Sequence, residues 1–218
     1  MHMRPNTPAP QTITLPPASV FIVDDDEAVR DSLKWLLEAN AYRVQCFDSA
    51  ERFLDAFDAS RVGVLILDVR MPGMSGLELQ ERLNELGNGK RFHLPIVFIT
   101  GHGDVPMAVS TMKKGAVDFI EKPFNEAELR SIVERMLRSA QEAALEGARR
   151  RVSEEKLARL TQRERQVLDC IVAGRLNKQI ADDLSISIKT VEAHRANVME
   201  KLGVANVADL LKLALGKN

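Results

Sequence analysis

Short apolar runs separated by amphipathic segments constrain the fold of this chain most strongly. Four of them lie at residues 20–23, 64–67, 96–99 and 117–120, and residues 42–47 form a weaker fifth. Runs of this length are too short for helices and are typical of strands buried in a parallel sheet. The intervening segments have helical spacing of apolar residues. Five such strand–helix units over about 120 residues predict a doubly wound α/β sandwich.

The segments around this pattern differ in composition. Residues 1–17 contain five of the nine prolines and are predicted to form a disordered tail. Residues 18–140 hold the strand–helix units. Residues 141–158 are rich in Ala, Glu and Arg and predict a solvated linker helix, whereas residues 159–218 show helical patterns alone. We therefore expect an α/β domain followed by a separate all-α domain.

The two predicted domains carry opposite net charge. Residues 18–140 hold 15 basic and 20 acidic side chains, a net charge of −5, and residues 159–218 hold 10 and 7, a net charge of +3. A basic domain fits a nucleic-acid partner. A charge of +3 is also within ordinary surface variation, so charge alone leaves DNA binding about as probable as not.

The cysteine content and the lack of long apolar runs bear on the cellular compartment. Cys46 and Cys170 lie far apart, and neither has metal-ligand spacing around it. No run approaches the roughly 18 residues of a membrane helix, and the N-terminus lacks a signal-peptide pattern. We therefore expect a soluble cytoplasmic protein with no membrane partner.

Polar side chains follow the predicted strands at one edge of the sheet. Three Asp residues, 24–26, follow the first strand, and Asp68, Thr100 and Lys122 follow the third, fourth and fifth. A single Asp after a strand is commonly a helix cap. Several converging carboxylates instead need a cation, and oxygen donors favour Mg²⁺. Together with a Lys and a hydroxyl they suit phosphoryl transfer, with an aspartyl phosphate as product.

Four segments resemble the signature segments of two-component receivers. They are residues 23–26 (VDDD), 67–76 (LDVRMPGMSG), 99–100 (IT) and 119–124 (FIEKPF). Residues 100–109 further resemble the FixJ branch of that family. The resemblance implies a flavodoxin-like fold with strand order 2-1-3-4-5. It also implies that a sensor histidine kinase supplies the phosphoryl group.

The resemblance assigns a metal-binding role to residues at this edge. It implies that Asp68 is the phosphoacceptor and that Asp25 binds Mg²⁺ directly, with Asp24 acting through water. The backbone carbonyl of Arg70 would complete the protein ligands. Mg²⁺ is thus the expected cofactor.

The same resemblance implies residues that bind phosphate and respond to it. Lys122 would pair with a phosphate oxygen, Thr100 would turn toward the phosphate, and Phe119 would follow it inward. Many receivers have Tyr where this chain has Phe119, which lacks the hydroxyl. The chemistry would be limited to self-catalysed transfer to Asp68 and autodephosphorylation, so we do not expect an enzyme acting on other substrates.

The C-terminal segment predicts four helices. The second and third are joined by the polar turn formed by residues 185–187, which is the pattern of a helix-turn-helix. Val191, Val198 and Leu202 form the inward stripe of the third helix. A protein-interaction module with a solvated polar face is the alternative. The predicted helices span residues 162–173, 177–184, 189–202 and 207–215.

Three segments of this domain resemble the LuxR-type DNA-binding domain. They are residues 160–168 (LTQRERQVL), 177–181 (NKQIA) and 190–202 (TVEAHRANVMEKL). The resemblance implies that cationic side chains meet phosphates and that small or acidic ones lie against bases. The expected DNA-binding residues are Lys178, Lys189, Thr190, Glu192, Ala193, His194, Arg195, Ala196 and Asn197.

These observations lead to one main hypothesis and two alternatives. In the main hypothesis, phosphorylation rearranges the face built by the fifth strand and the helices before and after it. The protein then dimerises, binds promoter DNA and acts with RNA polymerase. One alternative is a phosphohydrolase acting on an external phosphate ester. The other is a DNA-binding regulator that does not depend on phosphorylation.

Overall fold

The computed structural model describes residues 15–87, 94–101 and 118–215. The chain divides into two compact units, of which the first ends at Leu145 and the second begins at Glu146. Most of the predicted tail and the segment before the fifth strand lie outside the described residues. Within the described part, no helix is long and apolar enough to cross a membrane.

A single five-stranded parallel sheet forms the centre of the first unit. Its strand order is β2-β1-β3-β4-β5, which confirms the predicted fold class and order. Val20 lies opposite Val44 on one side and Val64 on the other, so β1 lies between β2 and β3, and β3 in turn pairs with β4. The strands are β1 Ser19–Val23, β2 Arg43–Phe47, β3 Gly63–Asp68, β4 Ile96–Thr100 and β5 Asp118–Glu121.

Four described helices begin in this unit: α1 Glu27–Glu38, α2 Ala50–Ala56, α3 Gly76–Leu86 and α4 Glu126–Ala158. The first three start at side chains that accept a hydrogen bond from a backbone N–H of the first turn. Asp26 caps α1, Ser49 caps α2, and Ser75 forms a reciprocal capping box with Glu78. The last of the three adjacent aspartates is therefore a helix cap.

Alternation along the strands divides the apolar side chains between the two faces of the sheet. Val20 and Ile22 pack with α1 and α4 on one face, whereas Phe21 and Val23 pack with α2 and α3 on the other. This two-sided burial explains why β1, β3 and β4 are almost continuously apolar, whereas β2 alternates between exposed and partly buried residues. Because the strands are parallel, the carboxyl ends of β1, β3, β4 and β5 lie along one edge of the sheet.

The long helix α4 packs on the first unit beyond the predicted end of the receiver at residue 140. Ala140 and Ala144 are buried together with Val62, and Leu15 is partly buried against the same cluster. Leu15 belongs to the predicted tail, whose residues 1–14 lie outside the described residues. The helix continues to Ala158 as one element, in agreement with the helical pattern of the sequence.

Up to residue 215, where the described part of the second unit ends, four helices follow α4. They are α5 Gln162–Val172, α6 Asn177–Leu184, α7 Ile188–Leu202 and α8 Val207–Leu215. Val191, Val198 and Leu202 are fully buried in its core, as the predicted stripe requires. Between α6 and α7, Ser185 adopts a left-handed conformation with φ of 54°, and Ser187 caps α7. The turn and its flanking helices form the expected helix-turn-helix.

Candidate functional site

Two buried carboxylates share one lysine at the carboxyl edge of the sheet. Lys122 follows β5, and its Nζ donates to Asp24 Oδ2 at 2.7 Å and to Asp68 Oδ1 at 2.9 Å. Asp24 follows β1 and Asp68 ends β3, so residues from three separate strands converge. The Lys122–Pro123 peptide bond is cis. The predicted meeting of acidic residues and a lysine is present in the fold.

Burial and charge pairing act against each other at this cluster. Asp24 is 2% exposed and Asp68 is 7% exposed. Burial raises the pKa of the Asp68 carboxyl, and the hydrogen bond from Lys122 only partly offsets this. Burial alone would lower the pKa of Lys122, but its hydrogen bonds to Asp24 and Asp68, together with the charges of these two carboxylates, raise it. Lys122 therefore stays charged between the two carboxyl groups.

Backbone groups hold the two carboxylates in place. The N–H of Arg70 donates to Asp68 Oδ2 at 2.9 Å, and the N–H of Asp26 donates to Asp24 Oδ1 at 2.9 Å. Asp68 thus presents one oxygen to Lys122 and the other to the loop that follows β3. This arrangement leaves neither carboxylate free to rotate without breaking a hydrogen bond.

The remaining residues predicted for this site have different environments. Asp25 is exposed, whereas Thr100 is 4% exposed at the end of β4. The carbonyl oxygen of Thr100 accepts from the N–H of Lys122 at 2.7 Å. Phe119 is half-buried opposite Phe98 and packs on the α2–α3 side of the sheet. The structure therefore places Thr100 beside the segment that carries Lys122.

The donor set at this edge suits a hard divalent cation. Asp24, Asp25, Asp68 and the carbonyl of Arg70 offer oxygen atoms alone, which is the chemistry that Mg²⁺ prefers. Within residues 15–87, 94–101 and 118–215, no group of three or more His, Cys, Asp or Glu side chains forms a metal cluster. The ammonium of Lys122 supplies the positive charge between Asp24 and Asp68 in this structure.

Two contacts at this edge have no counterpart in the sequence prediction. Arg30 Nη1 donates to the carbonyl oxygen of Asp24 at 2.8 Å, so α1 supports the end of β1. Gly76, at the start of α3, lies so close to Asp68 that a Cβ there would overlap the Asp68 carbonyl oxygen. The only sequence signal for the second contact is a glycine where a helix begins.

The third helix of the second unit presents a mixed polar and small-residue face. Lys189, Glu192, Ala193, Ala196 and Asn197 are exposed. These positions recur at helical spacing opposite the buried stripe, so they share one side of α7. Of the other predicted DNA-binding residues, Lys178 is exposed, and three are partly exposed: Thr190, His194 and Arg195.

An ion pair between a buried glutamate and an exposed lysine connects α7 to the start of α5. Glu164 is 3% exposed, and its Oε2 accepts from Lys201 Nζ at 2.7 Å and from the Thr161 N–H at 2.8 Å. The hydrogen bond from Lys201, followed by that from Thr161, lowers the pKa of Glu164. Glu164 therefore both caps α5 and fixes the end of the exposed helix.

Two family models match the chain along most of its length. The response regulator receiver domain matches residues 20–134, and the LuxR family of bacterial regulatory proteins matches residues 158–214. The first model covers the acidic edge of the sheet, and the second covers the helix-turn-helix. Receiver domains imply a sensor kinase as partner and generally use Mg²⁺, and LuxR-type domains imply DNA binding.

Similar proteins share both parts. The transcriptional regulatory protein FixJ of Azorhizobium caulinodans is 49% identical over 197 residues, 90% of this chain and 91% of that protein. The response regulator protein TodT of Pseudomonas putida is 45% identical over 194 residues, 89% of this chain and 84% of that protein.

Two solved structures of response regulators are also similar to this chain. The response regulator StyR matches with a TM-score of 0.84 at 44% identity, covering 92% of this chain and 99% of StyR. Full-length FixJ from B. japonicum matches with a TM-score of 0.54 at 42% identity, covering 91% and 96%. This chain therefore belongs to the FixJ-like two-component response regulators, DNA-binding transcription regulators that join a receiver domain to a LuxR-type domain.

Proposed function

We propose that Asp68 accepts a phosphoryl group from a sensor histidine kinase and that this modification controls dimerisation and promoter binding. The observation that carries the proposal is the single ammonium of Lys122 held between Asp24 and Asp68 at the ends of three strands. A structural ion pair would need one carboxylate. The second buried carboxylate carries extra negative charge that a phosphoryl-transfer site can use with a cation.

In the proposed step, a carboxylate oxygen of Asp68 bonds to phosphorus while the P–N bond to the kinase histidine breaks. The histidine nitrogen leaves with the electron pair, and an acyl phosphate remains on Asp68. Lys122 already lies 2.9 Å from Asp68 Oδ1, so its ammonium can hold a phosphate oxygen after the transfer. Thr100 would then turn toward the phosphate and Phe119 would follow it inward.

Oxygen atoms at the edge would hold the cofactor that receivers generally use. Asp24, Asp25, Asp68 and the carbonyl of Arg70 are the donors that this chain offers. Mg²⁺ bound there would neutralise part of the charge on the phosphoryl oxygens. The backbone N–H of Arg70 keeps the loop against Asp68.

Phosphoryl uptake can be measured with acetyl phosphate and Mg²⁺. We expect one acyl phosphate per chain, detected by intact mass and removed by hydroxylamine. Asp68→Asn should abolish it while the thermal unfolding midpoint stays close to wild type, because an amide is nearly isosteric but a poor nucleophile. Hydroxylamine-sensitive modification that persists in Asp68→Asn would contradict the assignment.

The same experiment separates a receiver from a phosphohydrolase. A receiver should stop at stoichiometric modification and then lose phosphate slowly, since its own Asp68 is the substrate. A hydrolase should release many phosphates per chain from an external ester. We propose that the chemistry is limited to self-catalysed transfer and autodephosphorylation, and sustained turnover would contradict this.

The proposal further includes coupling between the units in the cytoplasm, where a phosphorylated dimer would bind two half-sites and act with RNA polymerase. If the unphosphorylated receiver masks the DNA-binding face, a fragment that begins near Glu154 should bind DNA more tightly than the intact unphosphorylated protein. The expected difference is about 5-fold to 150-fold, measured by gel-shift titration. Equal affinity would leave dimerisation as the route of activation, and no effect of phosphorylation would favour a phosphorylation-independent regulator.

A further inference from the structure

The loop between β3 and α3 connects the phosphoacceptor to the rest of the first unit. Each end of the loop makes a local hydrogen bond. The N–H of Arg70 donates to Asp68 Oδ2 at 2.9 Å, and the N–H of Gly76 donates to the carbonyl oxygen of Val69 at 3.1 Å. The Ser75 capping box then starts α3. None of these contacts involves the middle of the loop, residues 72–74.

Glu51 contacts the middle of the loop from another part of the fold. This residue lies in the first turn of α2, and its Oε1 accepts from the backbone N–H of Met74 at 2.9 Å. A hydrogen bond between a carboxylate and a backbone N–H is stronger than one between neutral groups. The two residues are 23 positions apart, so the bond joins α2 to the loop that local contacts alone would leave loose.

The backbone of the loop is shaped to receive this carboxylate. Gly73 has φ of +75°, a conformation that side chains rarely adopt. A Cβ at this position would also lie 2.9 Å from Glu51 Oε1. Glycine thus permits both the turn and the close approach of Glu51. If Glu51 only stabilised the start of α2, through the helix dipole, this close contact with the loop at Gly73 would not be needed.

We propose that Glu51 is a positioning residue for the phosphorylation site. By holding Met74 it restrains the loop and thereby fixes the Arg70 backbone, which contacts Asp68 directly and whose carbonyl is a candidate metal ligand. This inference rests on the proposed phosphorylation of Asp68. It predicts that loss of the Glu51–Met74 hydrogen bond weakens Mg²⁺ binding and leaves the thermal unfolding midpoint unchanged.

Three variants of the full chain test the role. Glu51→Ala removes the acceptor, Glu51→Gln keeps a carbonyl oxygen for the Met74 N–H, and Glu128→Ala removes an exposed first-turn glutamate from α4 as the matched control. We expect Glu51→Ala to weaken Mg²⁺ binding about 10-fold by calorimetry, at the lower end of the effects known for groups that orient metal ligands. Glu51→Gln and Glu128→Ala should stay within about 2-fold of wild type.

Amide hydrogen exchange at Met74 provides the structural readout. Exchange should accelerate in Glu51→Ala and stay slow in Glu51→Gln, with thermal unfolding midpoints unchanged in both. Fast exchange in Glu51→Ala with wild-type Mg²⁺ affinity would overturn the positioning role alone. Equal losses in Glu51→Ala and Glu128→Ala would also overturn it, because they would reveal a general effect of charge. Wild-type protein that takes up no phosphoryl group would instead overturn the proposed function on which the inference rests.

Discussion

The acidic edge of the receiver and the exposed face of α7 are assembled in opposite ways. Asp24, Asp68, Thr100 and Lys122 come from four separate places in the chain, and three of them are nearly buried. The face of α7 lies on one continuous helix, and its side chains Lys189, Glu192, Ala193, Ala196 and Asn197 are exposed to solvent. Changes at the acidic edge should therefore act on the whole cluster, whereas changes on α7 should act one residue at a time.

The largest effect is expected from removing the shared lysine. Lys122→Met would leave Asp24 and Asp68 buried with no cation between them, and we expect the free energy of unfolding of the first unit to fall by about 3 kcal/mol. Urea unfolding followed by the fluorescence of Trp35, the only tryptophan in the chain, would measure it. Arg138→Met is the control, since Arg138 pairs with Glu134 at the surface. Equal unfolding midpoints for both variants would show that Lys122 stabilises the first unit no more than a surface ion pair does.

A smaller effect, confined to DNA binding, is expected on α7. Glu192→Ala should chiefly change sequence preference, by about 1–3 kcal/mol between sites, because a side chain against bases reads their edges. Lys189→Ala should weaken binding to all sequences and lower the salt slope by about one phosphate contact. Gel-shift titrations at two salt concentrations would measure both variants, with the exposed Lys212→Ala on α8 as the control. A change of preference in Lys189→Ala would contradict the division of roles.

The ion pair between Lys201 of α7 and Glu164 of α5 should give a smaller effect that depends on pH. The lowered pKa of Glu164 means that its contribution to stability is present above the ordinary glutamate pKa and is lost as pH falls through the lowered value. Glu164→Gln should therefore destabilise the second unit by about 1 kcal/mol at pH 7, and the difference from wild type should shrink below about pH 4. Circular dichroism of residues 146–218 during thermal unfolding would measure it, with Glu200→Gln as the control. A difference independent of pH would show that the charge is unimportant.

The contrast between the two regions also explains how far the sequence could predict them. Apolar runs predicted β1, β3 and β4 most clearly, since burial on both faces leaves no alternation, whereas β2 alternates and gave a weaker signal. Helical spacing predicted the buried Val191, Val198 and Leu202. Strand ends then placed Asp68 and Lys122 at one edge. A local pattern is sufficient for such features because it is imposed by the element itself.

Contacts between distant segments could not be predicted in this way. Three adjacent aspartates follow β1, and the sequence pattern does not decide which one points inward. In the structure, Asp24 pairs with Lys122, Asp25 is exposed and Asp26 caps α1. The bond between Glu51 and Met74 likewise depends on how α2 lies beside a loop, which neither segment encodes alone.

The smallest expected effect concerns a conformation that occurs in both units. Ser185 between α6 and α7 and Ala41 between α1 and β2 both have positive φ, of 54° and 62°. A left-handed conformation costs a non-glycine residue about 1 kcal/mol, and the extra freedom of glycine in the unfolded chain offsets part of the relief.

Ser185→Gly and Ala41→Gly should therefore each stabilise their own unit by about 0.5 kcal/mol. Thermal unfolding of residues 146–218 would measure the first variant, and urea unfolding followed by Trp35 fluorescence would measure the second. DNA affinity of Ser185→Gly should stay within about 2-fold of wild type, because the cap at Ser187 and the buried stripe of α7 still fix the helix. A larger loss of affinity with unchanged stability would mean that the turn itself positions α7, and the exposed helix would then depend on its surroundings as much as the acidic edge does.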